Sequence, residues 1–95
     1  MEIETAYKKK MVAQLKVWDA EIYLLESKLE NFGADVRIKR AEELHELRAK
    51  QYAASMKIKE LGKASGDAWR QVKETADAIW EDLKAGLAGA QAKFK

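Results

Sequence analysis

The chain has no cysteine, no proline, a single histidine and only five glycines in 95 residues. Without cysteine there is no disulfide framework, no thiolate metal site and no cysteine nucleophile. Without proline, and with few β-branched residues, little interrupts long helices and little favours strands. An excess of one charge is missing too. Eighteen Lys and Arg stand against sixteen Asp and Glu, a net charge of +2, which leaves no electrostatic footprint for nucleic acid. The longest strongly apolar run, Ile22-Tyr23-Leu24-Leu25, falls far short of the roughly 20 residues that cross a bilayer. The start, Met1-Glu2-Ile3-Glu4, is acidic, and no apolar stretch follows Lys8-Lys9-Lys10. No secretory leader or lipidation motif is read there, and the expected location is cytoplasmic.

What is present is 47% hydrophobic and 36% charged. That suits one small domain over residues 1–95, with a thin core. Glycine supplies the punctuation. Gly33 follows Asn31-Phe32, and Gly62 and Gly66 bracket Lys63-Ala64-Ser65. Glycine accepts the left-handed conformation after a helix end, and Asp35 and Ser65 are placed to cap the helices that follow. These signals predict helical segments over about 3–32, 35–61 and 66–94.

Apolar spacing refines the division. Met11, Leu15, Trp18, Ile22, Leu25, Leu29, Phe32 and Val36 alternate steps of four and three, a heptad seam. A second seam runs through Leu44, Leu47, Gln51, Ala54, Ile58, Leu61, Ser65, Ala68 and Val72. The two registers differ by one residue, which places a turn near 33–40. The second seam passes Ser65 and Gly66 without slipping, so the break there has less support. In the last segment Trp69, Val72, Ala76 and Ile79 recur eleven residues later as Trp80, Leu83, Leu87 and Ala90, and the pattern continues to Gln91 and Phe94. Eleven residues in three turns is close to a straight helix, and its broad apolar face suits a multi-helix core or a lipid surface. Glu4–Lys8, Asp35–Lys39 and Glu46–Lys50 are spaced as i,i+4 pairs with the acid first.

The stretches Gln14-Leu15-Lys16-Val17-Trp18-Asp19-Ala20-Glu21-Ile22, Glu43-Leu44-His45-Glu46-Leu47-Arg48-Ala49-Lys50, Ala64-Ser65-Gly66-Asp67-Ala68-Trp69 and Ala78-Ile79-Trp80-Glu81-Asp82-Leu83-Lys84 resemble a family of small bacterial coiled-coil stress-response proteins of uncharacterised mechanism. The resemblance covers nearly the whole chain. It implies a bacterial, stress-related protein and carries no catalytic residues with it.

Residues that could do chemistry have plainer readings beside the sharp ones. Glu42 and His45 form Glu-x-x-His, the i,i+3 pair that di-iron bundles point inward. Such a site needs two of these motifs and further glutamates, and one histidine does not supply them, so His45 reads as a solvated or edge residue. Trp18 lies on the first seam and reads as core. Trp69 and Trp80 share one face and read as core, with lipid contact as the competing use. Lys8-Lys9-Lys10 and the cluster Arg37, Lys39, Arg40 read as solvated or paired charge. Gln51, polar within a seam, reads as a register-setting residue.

The expected fold is all-α: long amphipathic helices in an antiparallel helical bundle. Two arrangements compete, a three-helix up-down-up bundle and a helical hairpin that self-associates. The expected function is a non-catalytic coiled-coil structural or interaction protein acting as a homo-oligomer or on a protein partner. It is assigned no catalytic, metal or cofactor-binding residues, no cofactor and no nucleic-acid partner. The alternative is a peripheral lipid-binding protein using the C-terminal eleven-residue repeat on a membrane surface.

Overall fold

A computed structural model describes residues 2–94. Three helices follow one another: α1 (Glu2–Ser27), α2 (Ala34–Lys63) and α3 (Gly66–Lys93), with a short 3-10 turn (Leu29–Asn31) between the first two. No strand occurs among the described residues. They pack side by side into a rod 51 × 18 × 17 Å.

Side-chain pairings give the directions. Tyr7, Trp18 and Phe32 stand against Trp69, Trp80 and Phe94 respectively, so the first and third arms run parallel. Asp19 and Glu26 of α1 meet Arg48 of α2, and Lys8 lies against Gly62, so α2 runs the opposite way. This is the up-down-up bundle. The hairpin alternative fails because the helix stops at Lys63. Ala64 and Ser65 are extended, and Gly66 turns the chain at φ 61°, a backbone that L side chains enter only at a cost of about 1–2 kcal/mol. The smooth second seam across this point was therefore coincidence, and Ser65 and Ala68 are exposed.

The first turn also differs from expectation. α1 ends at Ser27, several residues before 32. The Ser27 hydroxyl donates to the Leu24 carbonyl at 2.6 Å, and Lys28 N–H bonds Leu25 O at 3.0 Å. These i to i−3 bonds tighten the chain into the 3-10 turn. Gly33 sits at the N-cap of α2 with φ −65° and is extended, not left-handed. Neither expected side-chain cap forms. Asp35 falls inside the first turn of α2, and Ser65, though at the N-cap of α3, makes no cap hydrogen bond. Val36 lies beyond the turn and leaves the first seam, 41% exposed.

The seams otherwise hold. Met11, Trp18, Ile22 and Leu25 of α1 are buried, as are Leu44, Leu47, Ala54, Ile58 and Leu61 of α2. Ala76, Leu83, Leu87, Ala90 and Phe94 complete the core, while Gln91 is exposed. Ile22 and Leu83 have no exposed surface. α3 comes close to α2 at Gly86, where an added Cβ would lie 3.0 Å from Leu47 Cδ2.

Candidate interaction surface

Polar side chains tie the helices together at three levels of the rod. Midway, the Arg48 guanidinium clasps α1. Its Nη2 and Nε donate to the two carboxylate oxygens of Glu26 at 2.6 and 3.3 Å, and its Nη1 donates to Asp19 at 2.5 Å and to Gln51 Oε1 at 2.7 Å. Gln51 Nε2 in turn donates to Asp19 at 2.9 Å. The forked contact to Glu26 is the bidentate geometry a guanidinium favours. Hydrogen bonds from Gln51 and then Arg48 hold the Asp19 carboxyl below its ordinary value, and the bond to Glu26 pushes the Arg48 guanidinium up. Gln51, half-buried on its seam, uses both ends of its amide in this clasp.

At one end Tyr7 donates its hydroxyl to Asp77, and Lys73 Nζ bonds the other Asp77 oxygen at 2.8 Å. The same ammonium stands 5.0 Å from the centre of the Tyr7 ring. Burial, the hydrogen bond to Asp77 and its negative charge all push the Tyr7 hydroxyl well above its ordinary value. Desolvation works to raise Asp77, but the bonds from Lys73 and Tyr7 outweigh it and hold its carboxyl low. Toward the other end Arg40 and Lys93 bond Glu43 at 2.6 and 3.2 Å. Desolvation again opposes ionisation of Glu43, and the two cations overcome it.

These links were not legible as i,i+4 pairs. None of Glu4–Lys8, Asp35–Lys39 or Glu46–Lys50 forms an ion pair among the described residues; Lys50 instead reaches Asp82 on α3 at 3.5 Å. The i,i+4 pair that does form, Lys73–Asp77, has the lysine first.

The chemistry-bearing residues do not converge on one site. Glu42 and His45 are exposed on the outer side of α2, and no cluster of three metal-ligating side chains occurs among the described residues. Trp18 is buried, with its ring 4.7 Å from that of Trp80. Trp69 packs edge-on against Tyr7 at 5.8 Å. Both C-terminal tryptophans are partly buried in the bundle. Lys8, Lys9 and Lys10 are exposed. Arg37 bonds the Phe32 carbonyl at 3.1 Å, and Arg40 is paired with Glu43. Tyr7, Trp18 and Phe32 repeat the spacing of Trp69, Trp80 and Phe94, which is the register of a parallel aromatic ladder between the two arms.

What remains outward is uneven. The large apolar side chains with substantial exposure are Val12, Val17, Tyr23, Leu24, Val36, Ile38, Tyr52 and Met56. All belong to α1 or α2, and none to α3. Between α1 and α2 runs an open groove of about 580 Å³. Val12, Leu15, Tyr52 and Ile58 line it, together with Lys8, Lys16 and Lys59, beside the Arg48 clasp. None of those three lysines has an ion-pair partner among the described residues. No described helix is long and apolar enough to cross a membrane. No family model, no curated protein and no solved structure matches the chain.

Proposed function

We propose that the protein is a non-catalytic helical interaction module that works by self-association or by binding a protein partner. The observation that carries this reading is that, among the described residues, every strongly exposed large apolar side chain lies on α1 or α2. Scattered exposed hydrophobics are ordinary, but their concentration on two helices, with Val12 and Tyr52 lining the groove between them, favours those helices as a contact surface. The resemblance to bacterial coiled-coil stress-response proteins suggests a role under stress.

The lipid-binding alternative needs the apolar face of α3 to be free. Trp69 and Trp80 spend that face on Tyr7 and Trp18, so the bundle would have to open before the eleven-residue repeat reached a membrane. Its polar side is also a weak match for anionic lipid, because Lys73 and Lys84 are opposed by Glu74, Asp77, Glu81 and Asp82. Light scattering of the purified protein, alone and with anionic phosphatidylglycerol vesicles, tests the two readings together. The expected result is a mass above one chain that rises with protein concentration, and tryptophan emission that vesicles leave unchanged. Flotation of most of the protein with vesicles at moderate salt, lost in Trp80→Ala, would overturn the interaction reading in favour of the lipid one.

A further inference from the structure

We infer that α1 carries a second heptad seam on its outer side and pairs through it, in parallel, with α1 of a second copy of this chain. This rests on the interaction-module reading, takes self-association as its form, and leaves the groove between α1 and α2 open. Three observations carry it.

The first is a pattern that the bundle does not use. Ala6, Lys10, Ala13, Val17, Ala20, Leu24 and Ser27 alternate steps of four and three along α1. All seven are exposed, Val17 by 51% and Leu24 by 56%. They lie on the far side of the helix from Met11, Trp18, Ile22 and Leu25, which are buried. A helix needs one such seam to join a bundle, and α1 has two of the same period. In the outer seam Lys10, Val17 and Leu24 occupy alternate layers, and alanines occupy the layers between them. A second helix can therefore approach closely, with Val17 against Val17 and Leu24 against Leu24.

The second is charge, which sets the direction. One flank of the seam carries Lys9, Lys16 and Tyr23, and the other carries Gln14, Glu21 and Lys28. Neither Lys16 nor Glu21 has an ion-pair partner among the described residues. Two parallel helices bring each residue of the first flank to the residue five places further on in the second copy. Lys16 then meets Glu21 of the second copy, Lys9 meets Gln14, and Tyr23 meets Lys28, with no like-charged pair among them. The two-fold axis makes each contact twice. An antiparallel pairing lays each flank on itself and sets Lys16 against Lys16. Lys10 opposes the pairing, because the axis brings it against its own copy. A single lysine in such a layer fixes register at a cost in stability.

The third is size. α1 has 26 residues, about 39 Å of helix at 1.5 Å per residue. A contact strip roughly 10 Å wide along it covers on the order of 400 Å² per copy. That is below the ~800 Å² per partner of an ordinary stable interface, so the dimer is weak and forms as concentration rises.

Sedimentation equilibrium of the full chain tests the proposal. Wild type should fit a monomer–dimer equilibrium. Leu24→Gln should weaken the dimer about tenfold, since both copies lose a covered leucine. Lys10→Leu should tighten it about tenfold, since a lysine pair becomes a leucine pair. Both positions are exposed in the single chain, so far-ultraviolet circular dichroism should not change. Lys16→Glu and Glu21→Lys should each weaken the dimer several-fold. An equimolar mixture of those two should recover, because both cross-pairs in the mixed dimer are again opposite in sign. The chain has no cysteine, so Ala6→Cys reads direction directly. Oxidation with diamide should link parallel copies. In an antiparallel pair that spans the seam, position 6 lies opposite Leu24 and the introduced thiols stand about 27 Å apart. A wild-type monomer at every concentration would overturn this seam and self-association together, leaving a different protein as the partner. A dimer that neither Leu24→Gln nor Lys10→Leu moves would overturn the seam and leave self-association standing. A dimer that both move, but that Ala6→Cys does not link or the mixture does not restore, would overturn the parallel pairing. If Leu24→Gln loses helicity, Lys10→Leu decides the seam alone.

Discussion

Ile22 and Leu24 lie two residues apart on α1 and face opposite ways, which makes them a direct test of the packing. Ile22 has no exposed surface, whereas Leu24 is 56% exposed. Ile22→Ala removes three carbons from the core. At about 0.8 kcal/mol per buried CH2, the lost transfer energy alone is about 2.5 kcal/mol. α1 is held by the Arg48 clasp and by the aromatic contacts to α3, so it cannot close the space fully. The residual cavity should carry the total to about 3–4 kcal/mol, within the range of large-to-small core changes. A domain of this length has about 5–15 kcal/mol in all, so the variant should fold but melt more than ~10 °C lower. Leu24→Ala should shift stability by no more than about 0.5 kcal/mol. Urea titration followed by helical circular dichroism at low protein concentration reads both, and similar slopes would show that the change lies in stability rather than compactness. Equal losses in the two variants would mean that the heptad seam does not mark the buried face of α1. Ile22→Asp puts a carboxylate in the same place and should abolish the folded state.

The ionised network makes stability depend on pH at both extremes. Asp19, Glu43 and Asp77 have lowered folded-state values, so their contribution is complete above the ordinary carboxylate range, about pH 4, and is lost as pH falls through the depressed values. Tyr7 is raised, so its contribution is complete below the ordinary tyrosine value, about 10, and is lost as pH rises beyond it. Melts across pH should show both losses, and Tyr7→Phe should flatten the alkaline arm relative to wild type; an alkaline arm unchanged by that substitution would count against the Tyr7–Asp77 bond. Gly89→Ala meets open space and should stabilise α3 by about 1 kcal/mol, whereas Gly86→Ala must displace the buried Leu47 side chain and should gain little or nothing. Equal midpoints for the two variants would remove the close approach of α3 to α2.

The helices were legible because burial is periodic. The spacing of Met11, Trp18, Ile22 and Leu25, and of Leu44, Leu47, Ala54, Ile58 and Leu61, depends only on each helix having one face in the core. What one helix does to another was not legible in the same way. Whether Lys50 turns to Glu46 or to Asp82 depends on the direction and rotation of α3. Whether Arg48 bridges Asp19 and Glu26 depends on α2 running back along α1. The break at 64–65 was marked by Gly62 and Gly66 but hidden in the apolar spacing, which stays in register through the extended Ala64 and Ser65 before Gly66 turns the chain at positive φ. The aromatic ladder needed a comparison between segments rather than within one. Tyr7 drew no notice because it precedes the seam, yet its match with Trp69 repeats the match of Trp18 with Trp80.

The clasp and the groove occupy the same place for a physical reason. Asp19, Arg48 and Gln51 line the groove that also holds Tyr52, Val12 and Ile58. A guanidinium bonded to two carboxylates and an amide has its spacing fixed by bond geometry rather than by soft apolar packing. It therefore sets how far apart α1 and α2 stand at the middle of the rod. A surface whose width is already set loses less freedom on binding than one that must be ordered by its partner. On the proposed reading this predisposes the α1–α2 face to dock without rearrangement. The division of labour among the helices is consistent with it. α3 turns its large apolar side chains inward, so the core can be closed while α1 and α2 keep Val12, Tyr23, Tyr52 and Met56 outside. Arg48→Lys would keep the charge but lose the fork, and it should loosen this spacing before it unfolds the bundle.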